Sequence, residues 1–285
     1  MNTYQEQEQG VVFDCGENRL VGVVAIPQIV SEVGVLILVG GPQYRVGSHR
    51  QFTLLARSMA EAGIPSLRFD YTGMGDSEGE RREFDKTQTD IAAAIEVLGT
   101  TFPEVRRVVL WGLCDAASSA MMFAHCFPQV TGMILLNPWV HNGEYSTEVK
   151  LAHYYRPSIS KVDQWRRLLF GEIKLIPAFQ EVFRNALALL GKRSLRSNQH
   201  SLQQSFVQDM LDGLQHFQRE VLIVLSEADL TASEFSTLIA HRPEWKAATS
   251  KPTITVKTIQ DADHTFSQRP WQEAVGQLTF EWIKG

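Results

Sequence analysis

The chain has 285 residues, of which 44% are apolar and 21% are charged, and its formal net charge is −5. A chain of this length can bury one large core, and this composition is ordinary for a soluble globular enzyme. The slightly acidic balance gives no electrostatic reason to expect nucleic acid as a partner. The totals leave the oligomeric state open.

The N-terminus and the cysteines indicate the compartment. Residues 1–10 have neither the basic start nor the apolar stretch of a signal peptide. No apolar run reaches the ~18–20 residues needed to cross a bilayer, so we expect a cytoplasmic protein. Cys15, Cys114 and Cys126 are odd in number and lack metal-ligand spacing. They therefore suggest neither a disulfide framework nor a zinc site, and we expect no metal and no cofactor.

Short apolar runs alternate with helix-like stretches along most of the chain, a pattern typical of a parallel sheet flanked by helices. The first thirty residues are expected to form an antiparallel pair at the edge of that sheet. The predicted core strands then follow in chain order at residues 34–39, 64–70, 107–111, 132–136, 221–225 and 253–259. Helices are predicted near residues 51–62, 87–98 and 116–126.

The stretch from 141 to 215 differs from the rest of the chain. It has no strand-like run and carries ten Lys or Arg against seven Asp or Glu. Because it lies between two predicted core strands, we interpret it as a helical lid inserted into a core made of residues 1–140 and 216–285. Ligands of open α/β sheets bind at the carboxyl ends of the strands, where such a lid would lie.

Cys114 occupies a position typical of a nucleophile. It lies in the sequence GLCDA, between a predicted buried strand and a helix of small residues. A nucleophile on a sharp strand-to-helix turn needs small residues two positions to either side, and Gly112 and Ala116 meet this requirement. Choosing Asp115 as the nucleophile would place Leu113 where a small residue is required. The sequence therefore predicts Cys114 as the nucleophile.

The surroundings of Cys114 suit a thiolate and an oxyanion. The N-terminus of the following helix favours thiolate over thiol, and the Asp115 N–H would face the oxyanion of an acyl intermediate. We expect the Asp115 carboxylate to point away from Cys114. The second donor should come from the turn after strand 34–39, where Pro42 has no N–H. Gly41 is our choice, with Gln43 as the alternative.

A triad in this arrangement runs nucleophile, acid, base along the chain. Strand 221–225 is followed by the sequence SEAD, which offers two acids, Glu227 and Asp229. Asp229 is preferred because the acid usually lies a few residues beyond the strand, although Glu227 stays an alternative. His264 is the histidine that follows a late strand. It would take the thiol proton and later activate water.

Together these residues resemble the α/β-hydrolase superfamily over nearly the whole chain. The sequence GGP at residues 40–42 is similar to the oxyanion turn of the proline iminopeptidase branch, and DYTGMGDS at residues 70–77 to the glycine-rich turn of the superfamily. More narrowly, GGPQYRVGSHRQF at residues 40–52 and GLCDAAS at residues 112–118 resemble the type 1 hydrolases associated with exosortase A systems.

The resemblance implies a mostly parallel central sheet flanked by helices, with a helical lid inserted between late strands. It also implies a bacterial cytoplasmic protein encoded beside exopolysaccharide and protein-sorting genes, with an unassigned substrate. The chain departs from the general pattern at three places: Cys replaces Ser at position 114, Ala replaces Gly at position 116, and no His precedes Gly40. These departures put routine esterase or peptidase activity in doubt.

The function expected from these residues is hydrolysis of a small-molecule thioester or ester through an acyl-cysteine intermediate. Two alternatives stay open. An acyl-cysteine under a water-excluding lid could be transferred to a sugar or lipid acceptor. The chain could also be a catalytically silent scaffold that binds a small ligand. The sequence does not separate hydrolysis from acyl transfer.

Overall fold

The computed structural model describes residues 7–41, 43–140 and 196–285. Within these residues the chain forms one sheet of eight strands. The strands are β1 (Gln7–Cys15), β2 (Asn18–Ile26), β3 (Val33–Leu38), β4 (Ser66–Phe69), β5 (Arg107–Leu113), β6 (Val130–Leu136), β7 (Glu220–Ser226) and β8 (Ile254–Ile259).

The strand order across the sheet is β1-β2-β4-β3-β5-β6-β7-β8. β1 pairs antiparallel with β2, and β2 pairs antiparallel with β4. Every later pair, from β4–β3 to β7–β8, is parallel. The mostly parallel sheet and the antiparallel pair at its edge are therefore confirmed. Because β3 and β5 to β8 run the same way, their carboxyl ends open onto one edge of the sheet.

The described helices are α1 (Gln51–Glu61), α2 (Gln88–Thr101), α3 (Asp115–Phe123), α4 (Arg196–His216), α5 (Leu230–His241), α6 (Pro243–Thr249) and α7 (Arg269–Lys284). α1, α2 and α3 coincide with the helices predicted from the sequence. α1 is amphipathic and turns Phe52, Ala56 and Met59 into the core. Of the helices among these residues, none is long and apolar enough to cross a membrane.

The central strands form the core, and their burial accounts for the apolar runs by which the sequence predicted them. All six residues of β3 are buried, and so are β5 and β7 after their first residue. A parallel strand covered on both faces needs an almost continuous apolar run, which is the pattern found in the sequence. β8 lies at the edge of the sheet and is more exposed, with Val256 39% accessible.

The chain divides into two compact units, one made of Met1–His141 and Phe206–Gly285 and the other of Asn142–Ser205. Residues 141–195 of the predicted lid lie outside the described residues, so the lid stays a prediction. In the first unit, α4 buries Phe206, Met210 and Leu214.

Candidate active site

Cys114 lies at the junction of β5 and α3, with backbone angles φ 63° and ψ −126°. A side chain with a Cβ rarely adopts positive φ, and such strained residues cluster at functional sites. Backbone hydrogen bonds hold the residue there. Its N–H donates to the Leu136 carbonyl at 2.9 Å, and its carbonyl accepts from the N–H of Ala117 at 3.0 Å and of Trp139 at 3.3 Å. The neighbouring strand and α3 thus both support the turn.

The small residues that flank Cys114 are required by close backbone packing. A Cβ added at Gly112 would lie 2.7 Å from the carbonyl carbon and oxygen of Ala116 and 2.8 Å from the Ala117 nitrogen. Real Cβ atoms do not approach backbone this closely, so any side chain at position 112 would push α3 away from β5. Ala116 itself is 1% exposed. The spacing used to choose Cys114 over Asp115 therefore has a steric cause.

His264 and Asp229 lie in contact although 35 residues separate them in the chain. The His264 Nδ1 is 2.9 Å from the Asp229 Oδ2. The same carboxylate caps α5, because its Oδ2 accepts from the Ala232 N–H at 3.0 Å. The competing acid, Glu227, instead accepts from the Asp261 N–H at 3.2 Å. Of the two acids that follow β7, Asp229 is therefore the one that touches His264.

The His264 imidazole links Asp229 to Cys114. Hydrogen bonds to the Asp229 carboxylate and to Cys114 raise the pKa of His264 to about 10, against the opposing effect of burial. The raised pKa favours the protonated imidazole in the folded protein. Cys114, His264 and Asp229, chosen from their chain order, thus form one connected set of side chains.

Asn137 supports this set and was not predicted from the sequence. It follows β6, is fully buried and has a φ of 45°. Its Nδ2 donates to the Ser226 Oγ at 2.9 Å and to the His264 carbonyl at 3.0 Å, while its Oδ1 accepts from the Ser226 N–H at 2.8 Å. Ser226 in turn donates to the Asp263 carbonyl at 2.8 Å. Asn137 thereby ties the ends of β6 and β7 to the loop that carries His264.

A sequence signal for Asn137 did exist. A polar residue shortly after an apolar strand is the kind of signal that favours Asp229, and Asn137 follows β6 directly. The signal went unused because an amide side chain has no obvious place in a nucleophile–acid–base triad.

Of the two predicted oxyanion donors, the Gly41 N–H is already bonded to a side chain. The Gly41 N–H donates to the Asp115 Oδ1 at 2.6 Å. A Cβ added at Gly40 would lie 2.3 Å from that same oxygen, so the carboxylate fills the space beside the turn. The Asp115 side chain, expected to point away from Cys114, is directed to this turn, a contact not predicted from the sequence. Pro42 lies outside the described residues.

An ion-pair network anchors the loop after Gly41. The Arg45 guanidinium contacts the carboxylates of Asp70 and of Asp76, and the Arg45 N–H donates to the Asp70 Oδ1 at 2.7 Å. Asp70 is completely buried, and a Cβ on Gly75 would lie 2.2 Å from its carboxylate. The glycine-rich turn at residues 70–77 therefore makes room for a carboxylate that holds the neighbouring loop.

An aromatic cluster borders the turn that carries Cys114. The rings of Trp139 and Phe206 are stacked with centroids 5.2 Å apart, and Phe84 meets both edge-on at 5.4 and 5.3 Å. Trp139 is fixed to α3, because the Ser118 hydroxyl donates to its carbonyl at 2.7 Å. The cluster provides an apolar wall next to the nucleophile position. Among the described residues, no group of three or more His, Cys, Asp or Glu side chains is placed to hold a metal ion.

Comparison with known proteins identifies the fold. The model of a family described as serine aminopeptidase, S33, matches residues 34–265. None of the curated proteins compared with the chain matches it. Three similar solved structures share its α/β-hydrolase architecture at low sequence identity.

The esterase Pf2001 of Pyrococcus furiosus is 15% identical, with a TM-score of 0.62 over 97% of this chain and 93% of its own. The esterase Est1E of Butyrivibrio proteoclasticus, solved with ferulic acid bound, is 18% identical, with a TM-score of 0.62 over 96% of this chain and 100% of its own. A dienelactone hydrolase of Anabaena variabilis is 16% identical, with a TM-score of 0.60 over 99% of this chain and 98% of its own.

Proposed function

The chain belongs to the serine aminopeptidase S33 family of α/β-hydrolases, and from this premise we propose that it is a cysteine-dependent acyl hydrolase. Cys114 attacks the carbonyl carbon of a thioester or ester, with His264 as the base and Asp229 as the acid that orients it. The observation that carries the proposal is the 2.9 Å contact of the His264 imidazole with Asp229. The interaction of the same imidazole with Cys114, which lies at the strained turn that heads α3, also raises the pKa of His264.

The chemistry follows from these positions. The Cys114 sulfur forms a bond to the carbonyl carbon, and the carbonyl π electrons move to oxygen. When the tetrahedral intermediate collapses, the bond to the leaving thiolate or alkoxide breaks, and His264 gives that group its proton. His264 then takes a proton from water, whose oxygen attacks the acyl carbon. Expulsion of the Cys114 thiolate releases the carboxylic acid, so one water is consumed per bond broken.

The nature of the nucleophile restricts the substrate. A thiolate is itself a good leaving group, so expelling an amine from the intermediate competes poorly with expelling Cys114. Thioesters and esters therefore suit this site better than amides, even though the family is described as an aminopeptidase family. Two of the structural relatives are esterases by name, which agrees with this choice. The apolar wall of Phe84, Trp139 and Phe206 suits an apolar acyl group.

The cellular setting is part of the proposal. The described residues include three free cysteines, which a reducing cytoplasm would maintain as thiols. The resemblance of residues 40–52 and 112–118 to hydrolases associated with exosortase A systems points to a role beside exopolysaccharide genes. An acyl-cysteine there could also be transferred to a sugar, the alternative that the following experiment distinguishes.

The test is covalent capture of the acyl group. The protein is incubated with a panel of acyl thioesters and p-nitrophenyl esters, and its intact mass is measured after rapid quenching. We expect one acyl adduct on the peptide that contains Cys114. Cys114→Ala should abolish the adduct, and His264→Ala should slow its formation or trap it.

The exposed Cys126 offers the matched control, because Cys126→Ala removes a more accessible thiol and should leave the adduct in place. If neither an acyl adduct nor alkylation by iodoacetamide is found at Cys114 near neutral pH, the assignment of the nucleophile is wrong. An adduct that decays only after a sugar acceptor is added would identify an acyltransferase.

A further inference from the structure

The inference concerns the Asp115 carboxylate, and it rests on the proposed acyl chemistry at Cys114. In the described structure this carboxylate accepts the Gly41 N–H at 2.6 Å. The Gly41 N–H, one of the two groups expected to bind an acyl oxyanion, therefore already donates to a side chain of the protein.

Such an arrangement opposes catalysis in two ways. An N–H that points at a carboxylate oxygen 2.6 Å away is not free to stabilise a second anion. A negative charge next to the hole also repels both the Cys114 thiolate and the oxyanion that forms after attack. Loss of one oxyanion donor costs enzymes on the order of 10²–10³ in rate, so an occupied hole has a large effect.

The contact between the Asp115 carboxylate and the Gly41 N–H follows from the fold around it. Asp115 is the first residue of α3, where the helix dipole favours a carboxylate. Gly40 leaves room for it, since any Cβ at that position would lie 2.3 Å from the Asp115 Oδ1. The loop that carries Gly41 is itself held by Arg45 and the buried Asp70. Both partners of the hydrogen bond therefore have fixed positions.

We propose that the Asp115 side chain is an internal inhibitor of the oxyanion hole: acylation of Cys114 requires that the carboxylate lose its charge or turn away from Gly41. An ester carbonyl can then take the place of the carboxylate against the Gly41 and Asp115 N–H groups. Asp115→Ala removes the acceptor and should free the Gly41 N–H, whereas Asp115→Asn removes the charge but keeps an oxygen that can accept this N–H.

Several groups influence the charge of Asp115. Burial raises the pKa of the Asp115 carboxyl, while the hydrogen bonds from Gly41 and Ala116 and the attraction of Arg81 lower it. The charge of Asp115 also contributes to the raised pKa of the buried Tyr71 hydroxyl. Cys114 is adjacent in the chain, and His264 lies across the site. Because several of these groups titrate, activity alone does not isolate Asp115, and a ratio of two reactions is needed.

The experiment compares two reactions of the same sulfur. Acylation by p-nitrophenyl acetate passes through an oxyanion, whereas alkylation by iodoacetamide displaces iodide directly and needs no oxyanion hole. Both rates are measured on the Cys114 peptide by quenched mass spectrometry between pH 5 and pH 9. Taking the ratio of the two rates removes the effect of the ionisation of Cys114 and His264, because both reactions use the same thiolate.

We expect Asp115→Ala to raise the acylation-to-alkylation ratio at neutral pH about tenfold or more, in line with the usual worth of an oxyanion donor, and Asp115→Asn to raise it less, because its amide oxygen can still accept the Gly41 N–H. The ratio should vary less with pH in both variants than in the wild type, because both variants lack the carboxylate. Asp85→Asn removes an exposed carboxylate elsewhere and should leave the ratio unchanged.

The outcomes separate this inference from the proposed function. Suppose that Cys114 is acylated but the acylation-to-alkylation ratio of both Asp115 variants equals or falls below that of the wild type. The carboxylate then only holds the turn, and the inhibitor proposal is wrong while the hydrolase proposal stands. Acylation of the variants but not of the wild type would support both proposals. If iodoacetamide reacts at Cys114 but no variant is acylated, the hydrolase proposal fails and the inhibitor fails with it.

Discussion

At the scale of single residues, the geometry around His264 depends on one carboxylate with two tasks. The Asp229 Oδ2 accepts the Ala232 N–H at the start of α5 and also lies 2.9 Å from the His264 Nδ1. The cap holds the carboxylate in place before any substrate arrives, and the carboxylate in turn orients the imidazole. Glu227, two residues earlier, accepts the Asp261 N–H in the loop that carries His264 and does not perform this task.

Asp229→Asn should lower the rate of ester hydrolysis by on the order of 10³-fold or more, because the uncharged amide no longer stabilises the imidazolium or sets its tautomer. The Asn oxygen can still cap α5, so the fold should be kept. The measurement is steady-state kinetics with the best ester found by adduct screening. Glu227→Gln is the control and should remain near the wild-type rate. Equal losses in the two variants would contradict the choice of Asp229.

At the scale of elements, the turn between β5 and α3 was predicted because its steric demands appear in the sequence as small residues at fixed spacing. Gly112 and Ala116 flank the nucleophile position, and a Cβ added at Gly112 would lie 2.7 Å from the backbone of Ala116 in α3. The strands were predicted for a similar reason, since burial on both faces requires apolar runs. Local requirements of this kind are visible without knowledge of distant contacts.

Gly112→Ala should destabilise the fold by about 1–3 kcal/mol, because the new methyl group meets backbone that cannot move without shifting α3. The free energy of unfolding in urea, monitored by circular dichroism, measures this effect. Gly99 in α2 is the matched control: a Cβ there meets nothing within 4 Å. Gly99→Ala should be more stable than the wild type by about 0.5–1 kcal/mol. Tolerance of Ala at position 112 would mean that the packing at the turn is looser than described.

At the scale of the whole molecule, the site joins loops that follow three strands, so its electrostatics contribute to the stability of the fold. The pKa of His264 is raised from 6.5 to about 10, chiefly by Asp229. A pKa higher in the folded state than in the unfolded state means that protonation stabilises the fold. This contribution is complete below about pH 6.5, the ordinary value for histidine, and is lost as the pH rises through about 10.

The difference in unfolding free energy between the wild type and His264→Gln should therefore shrink as the pH is raised from 6 to 10. Urea titrations at three pH values in this range measure it, and taking the difference removes the contribution of groups common to both proteins. His241→Gln changes an exposed histidine at the end of α5 and should show no such trend. A constant difference for His264 would mean that its protonated form is not favoured by folding.

The sequence by itself determined the succession of strands and helices along the chain, the frame that selects Cys114, and the chain order that selects His264 and limits the acid to Asp229 or Glu227. Each of these follows from local rules of burial, backbone sterics and connection. Only the tertiary structure decided which acid touches His264, that Asn137 ties its loop to β6 and β7, and that the Asp115 carboxylate occupies the Gly41 N–H. Those contacts join residues 35, 127 and 74 positions apart. They depend on strand order and side-chain direction, which no local pattern of residues specifies.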